Sequence, residues 1–92
     1  MKRRSFAKRR DANEPDIVSA LEKIGATILR LDEFDLLVGY QGANHMLEVK
    51  NREGKNRITE SQAELMETWR GSPLQIIRTV DEAVAAVTGK SE

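Results

Sequence analysis

Three charged residues bracket one short apolar stretch, "DLLVGYQGANHMLEVK" (35–50): Asp35 opens it, and Glu48 and Lys50 lie at its end. Two carboxylates brought to one spot repel each other, and a hard divalent cation relieves that repulsion. Mg²⁺ takes oxygen ligands in octahedral geometry and keeps several waters. Asp35 and Glu48 can supply two oxygens and the backbone carbonyl of Val49 a third. Lys50 then carries a positive charge to the place where a water and an incoming phosphate would meet.

That chemistry requires the stretch to fold as a hairpin of known register. "DLLVGY" (35–40) and "HMLEVK" (45–50) read as strands around a short loop containing Gly42. With Gly42 and Ala43 as a type II′ turn, residues whose numbers sum to 85 face each other. Asp35 then lies opposite Lys50, and Leu37 opposite Glu48. Side chains alternate along a strand, so Asp35, Glu48 and Lys50 share one face at one end. A slip of one residue would move Asp35 to the other face. The plainer alternative is an Asp35–Lys50 salt bridge on a solvated face, a contribution of about 0–1 kcal/mol.

Flanking elements add two polar groups. Asn13 is placed to cap a first helix, with Glu14 and Pro15 in its opening turn and Ile17, Val18, Leu21 and Ile24 at helical spacing before Gly25. "ATILRL" (26–31) reads as a strand and "DEF" (32–34) as a turn. Thr59 and Gln62 match a capping box that opens a second helix, whose apolar stripe is Leu65, Met66 and Trp69. Gly71 and Pro73 end it, "LQIIR" (74–78) is a fourth strand, and Thr79 caps a last helix through Ala86. Gln62 and Glu14 each stand in the apolar stripe of their helix, aimed at the sheet. The element order is αβββαβα, an α/β fold with a central mixed four-stranded sheet flanked by helices.

The 92 residues suffice for one domain with a modest core. The zero net charge hides a split: residues 1–10 hold six basic residues and no acid, leaving nine basic against fifteen acidic in the remainder. Such an arm is attracted to polyanions, and nucleic acid is the first partner to consider. Its residues Lys2, Arg3, Arg4, Lys8, Arg9 and Arg10, with Arg52, Lys55 and Arg57 of the loop after "EVK", are the candidate phosphate contacts. The expected organisation is a flexible basic arm (1–10), one domain (11–88) and a short tail (89–92). The absence of cysteine excludes disulfides, zinc–thiolate sites and thiol nucleophiles. No apolar run approaches the roughly 20 residues that span a bilayer, and no signal peptide is evident, so a soluble cytoplasmic protein with no membrane partner is expected. His45 is expected to face away from the carboxylates, Trp69 and Tyr40 to be core or interface residues, and Asp32 and Glu33 to be solvated turn residues.

Glu14 on a first helix, Asp35 opening strand two, "EVK" (48–50) ending strand three and Gln62 on the next helix resemble the PD-(D/E)XK nuclease superfamily. The likeness is greatest to its small virus-type replication-repair nuclease (VRR-NUC) domains and related phage proteins, and it covers residues 11–88. It implies a restriction-endonuclease-like αβββαβ core and Mg²⁺-dependent hydrolysis of DNA phosphodiesters, with Mn²⁺ able to substitute. In that likeness Asp35, Glu48 and the Val49 carbonyl bind the cation, and Glu14 reaches it directly or through water. Lys50 orients or helps deprotonate the attacking water, and Gln62 positions Lys50 or the water. The resemblance further implies structure-directed cutting of branched or junction DNA by a homodimer, in phage or bacterial replication or repair, inside a bacterial or phage-infected cell. Phe34 stands where the superfamily name has proline, and no separate DNA-reading domain is expected, so base-specific recognition is not. The rival readings are a non-catalytic nucleic-acid-binding module of the same fold and a small interaction protein that recruits a replication or repair partner.

Overall fold

The computed structural model of the chain describes residues 12–51 and 58–89. The basic arm and Arg52, Lys55 and Arg57 lie outside the described residues. Among the described residues three helices and four strands follow in the expected order: α1 (Glu14–Lys23), β1 (Thr27–Arg30), β2 (Leu36–Tyr40), β3 (Ala43–Val49), α2 (Glu60–Thr68), β4 (Leu74–Ile77) and α3 (Val80–Thr88). The helix expected to end at Ala86 runs two residues further, to a left-handed Gly89. The strands lie in the order β1-β2-β3-β4. The pairs β1–β2 and β2–β3 are antiparallel and β3–β4 is parallel, so the sheet is mixed. The parallel pair follows from connectivity, because α2 carries the chain back to the starting edge before β4 begins.

The hairpin turns one residue earlier than the sequence led us to expect. Tyr40 pairs with Ala43 and Leu36 with Leu47, so Gln41 and Gly42 form the loop and paired numbers sum to 83 rather than 85. Both loop residues have positive φ, 49° at Gln41 and 82° at Gly42. That is the requirement of a type I′ turn, whose twist matches that of the flanking strands. Gly42 takes the second, more strongly left-handed position without steric cost. The change moves the register by two residues, so every side chain keeps its face, but Asp35 now falls beside Glu48 and not Lys50.

Alternation along β2 and β3 divides the core in two. On one face Leu36, Val38, Leu47, Val49 and Ile77 pack with Ile17, Val18 and Leu21 of α1 and Ala83 and Val87 of α3. On the other, Phe34, Met46 and Leu74 form a smaller cluster that Leu31, Leu37 and Leu65 partly cover. Here α2 departs from its expected stripe. Leu65 is half-buried, but Met66 is 42% exposed and Trp69 52% exposed. Trp69 is the C-cap residue and has extended backbone (φ −71°, ψ 130°), so helical spacing no longer sets its direction. The buried residue of α2 is Gln62.

Candidate functional site

Asp35, Glu48, Lys50 and Gln62 meet on the α2 face at one end of the sheet, each no more than 7% exposed. The backbone of Asp35 is held twice: its carbonyl accepts from Leu31 N–H at 3.1 Å, and its own N–H donates to Glu48 Oε1 at 3.1 Å. The Asp35 carboxylate in turn accepts from the Val49 amide, Oδ2 to N 2.8 Å. The two carboxylates thus interlock across the hairpin end, each side chain bound to backbone on the opposite strand. Charge-assisted bonds of this kind are about twice as strong as neutral ones and fix the oxygens in place.

The Lys50 ammonium completes the group. Its Nζ lies 3.3 Å from Glu48 Oε2 and donates to Gln62 Oε1 at 3.3 Å. The backbone of Lys50 is pinned on both sides, because its N–H donates to Ile77 O at 2.9 Å, extending the β3–β4 ladder, and its carbonyl accepts from Asn13 Nδ2 at 3.2 Å. The side chain therefore starts from a fixed point and runs under α2.

The local sequence of α2 explains why an amide waits there. Thr59 Oγ1 accepts from Gln62 N–H at 3.1 Å, and Gln62 Oε1 accepts from Thr59 N–H at 3.2 Å, the reciprocal bonds of a capping box. One amide oxygen thus closes the helix end and receives the Lys50 ammonium. The cap selects the rotamer that reaches the site.

Asn13 has a different task from the helix cap its place in sequence implies. Its side chain makes no capping bond; it donates to Lys50 O and, at 2.9 Å, to Arg78 O. It ties the start of α1 to the ends of the two parallel strands. Arg78 adds a second tie, from Nη1 to Asn51 O at 2.8 Å. No local pattern signals these roles, since Asn13 is 37 residues from one partner and 65 from the other.

Glu14 is buried as expected, 2% exposed, and its Oε2 accepts from Arg30 Nε at 3.2 Å. It stands beside Asn13 at the same end of the sheet, yet among the described residues no three Asp, Glu, His or Cys side chains gather closely enough to hold an ion together. Asp32 and Glu33 are exposed, and His45, paired with Val38, lies on the opposite sheet face. The carboxylates that do converge are Asp35 and Glu48, both hard oxygen donors, while Gln62 Oε1 is taken by Thr59 and Lys50, and there is no thiolate in the chain. That set fits Mg²⁺ or Mn²⁺, with water and ligand oxygens filling the remaining positions, better than zinc or copper.

No described helix is long and apolar enough to cross a membrane. No protein-family model matches the chain, and neither the curated proteins nor the solved structures contain a match to it.

Proposed function

We propose that the chain is a Mg²⁺-dependent nuclease with a restriction-endonuclease-like core, of the PD-(D/E)XK kind, that hydrolyses phosphodiester bonds in DNA. The observation that carries this reading is the burial of Asp35, Glu48, Lys50 and Gln62 together at one sheet end. A salt bridge on a solvated face needs no such enclosure, and burying an ion pair is a poor route to stability because desolvation offsets the attraction. Enclosed, mutually oriented charges suit a site that must act on a charged substrate.

In this reading Asp35, Glu48 and the Val49 carbonyl hold the cation, with Glu14 reaching it through water. When bound, the ion neutralises charge on the phosphate and eases deprotonation of the attacking water. Lys50 holds that water or the departing negative charge at its Nζ. Gln62 keeps the ammonium from collapsing fully onto Glu48 by offering it a second acceptor. Asn13 fixes the Lys50 backbone, so the ammonium is placed before substrate arrives. Lys2, Arg3, Arg4, Lys8, Arg9, Arg10, Arg52, Lys55 and Arg57 would grip phosphates of any sequence. Branched or junction DNA in phage or bacterial replication or repair is the substrate setting we favour, with a homodimer supplying one site per strand.

One observation favours a second reading. Both Glu48 oxygens are already engaged, Oε1 by Asp35 N–H and Oε2 by Lys50, as they would be in a non-catalytic module that binds nucleic acid or a replication partner. Cleavage of labelled four-way junction, flap, duplex and single-stranded DNA with Mg²⁺, Mn²⁺ or EDTA separates the two. Metal-dependent cutting that disappears in Lys50→Ala and Asp35→Asn supports the nuclease. DNA binding without cutting in any metal supports the module.

A further inference from the structure

The sheet face that carries Asp35 and Glu48 continues, two residues along each strand, into a groove of about 460 Å³ between the hairpin and the end of α2. Leu37 and Met46, cross-strand partners, form its floor, and Asn44, Ser72 and Trp69 stand around it. Trp69 is held there in an unusual way. It is 52% exposed, turned off the helix by its extended backbone, and laid against Gly71, where a Cβ would stand 2.8 Å from the indole Nε1. Gly71 is required for this close approach, not for its backbone angles. The half-exposed ring and the apolar floor of Leu37 and Met46 line one contiguous groove, the kind of surface that a ligand can cover.

We propose that this groove takes one unpaired nucleobase of the strand being cut, stacked on Trp69, while the adjoining phosphate lies at Asp35, Glu48 and Lys50; the inference rests on the nuclease reading of that site. An indole face offers stacking to any base. The Asn44 amide supplies both a donor and an acceptor for a base edge. The groove begins two residues from the carboxylates, roughly 7 Å along the strand, which is the span of a single nucleotide. With one Trp, one Tyr and two Phe in the chain, the groove is a seat for one base and not a track for a long single strand. The substrate class is therefore DNA with an unpaired nucleotide next to the cut, such as a flap, gap or open junction, in preference to blunt duplex.

Trp69 is the chain's sole tryptophan, so tryptophan fluorescence, excited selectively over Tyr40, reports on this groove alone. The full chain in EDTA is titrated with a short oligothymidine and with a strand of equal length and charge that lacks every base. Oligothymidine is expected to quench Trp69 and the abasic strand to leave it unchanged, although anisotropy of a terminal dye shows both bound. Trp69→Ala should weaken oligothymidine binding about 5- to 150-fold, and Trp69→Phe should keep most of it. Equal quenching by both strands, or none at saturation, overturns the proposal. So does quenching that grows with protein concentration alone as the sedimenting mass doubles, which would make the groove an interface between copies. Cutting is read separately in Mg²⁺: quenching without cutting retains the base seat and removes the nuclease, and cutting without quenching does the reverse.

Discussion

Replacing Lys50 with methionine tests whether the charged group is desolvated as the structure has it. The substitution keeps most of the apolar stem and removes the ammonium. In the folded chain Lys50 is 5% exposed, and its Nζ stands 3.3 Å from both Glu48 Oε2 and Gln62 Oε1. Without it, the buried Glu48 carboxylate loses the ammonium beside it, with the Asp35 carboxylate still interlocked across the hairpin end. Breaking a buried pair in this way costs about 3–5 kcal/mol. A domain of this size is stable by roughly 5–14 kcal/mol in total, so the loss is large and readily measured by urea denaturation. Glu48→Gln combined with Lys50→Met removes both charges, and should recover about 0.5–3 kcal/mol through the coupling term of the double-mutant cycle. An unchanged denaturant slope would show that the native and denatured states keep their compactness. A Lys50→Met loss below about 1 kcal/mol, the worth of an exposed pair, with no coupling to Glu48, would refute the reasoning. It would mean that the ammonium sits in water and that the site is an ordinary surface contact.

The shared oxygen of Gln62 gives a second prediction: Thr59→Ala removes one cap bond and should cost about 1 kcal/mol, whereas Gln62→Ala also strips Lys50 of an acceptor and should cost about 1.5–3 kcal/mol more, both by chemical denaturation. Asn13→Ala should lose about 1–3 kcal/mol for two tertiary hydrogen bonds and leave the far-ultraviolet signature of α1 intact, since the side chain makes no cap bond. Gly42→Ala should cost about 1–2 kcal/mol, because the residue must be left-handed, and thermal denaturation would register the change. Mg²⁺ at ten times its dissociation constant should stabilise the chain by about 1.4 kcal/mol, which is about 6–11 °C in Tm for a domain near 100 residues. Asp35→Asn should abolish that shift in scanning calorimetry, and an equal shift in the variant would place the ion elsewhere.

Much of this architecture is local in origin and could be read from the chain. Thr59 and Gln62 announced their helix because a capping box is closed within four residues, and the bonds form as the spacing requires. The apolar periods of α1 and the two hairpin strands placed those elements within a residue or two, since burial on one face imposes a period that survives any detail of packing. The convergence of Asp35, Glu48 and Lys50 on one face does not depend on which turn closes the hairpin, for the same reason: the expected and observed registers differ by two, and a period of two returns each side chain to its face. What lay beyond the sequence was whatever depends on partners far along the chain. Whether Asp35 would fall across from Lys50 or from Glu48 depended on whether Gln41 could accept a left-handed conformation, and the twist of the assembled hairpin settled that. Asn13 carried a signal for one role and serves another, because the carbonyls of Lys50 and Arg78 become its neighbours only once β3 and β4 lie parallel. Trp69 belonged by spacing to an apolar stripe, but the helix ends at it, and the space above Gly71 decided where its ring would lie. Residue types and their periods determined the elements and the face on which the charges stand. The enclosure that gives those charges chemical meaning arose only when α2 closed over the sheet, for burial is a property of the assembled layers and of no single segment.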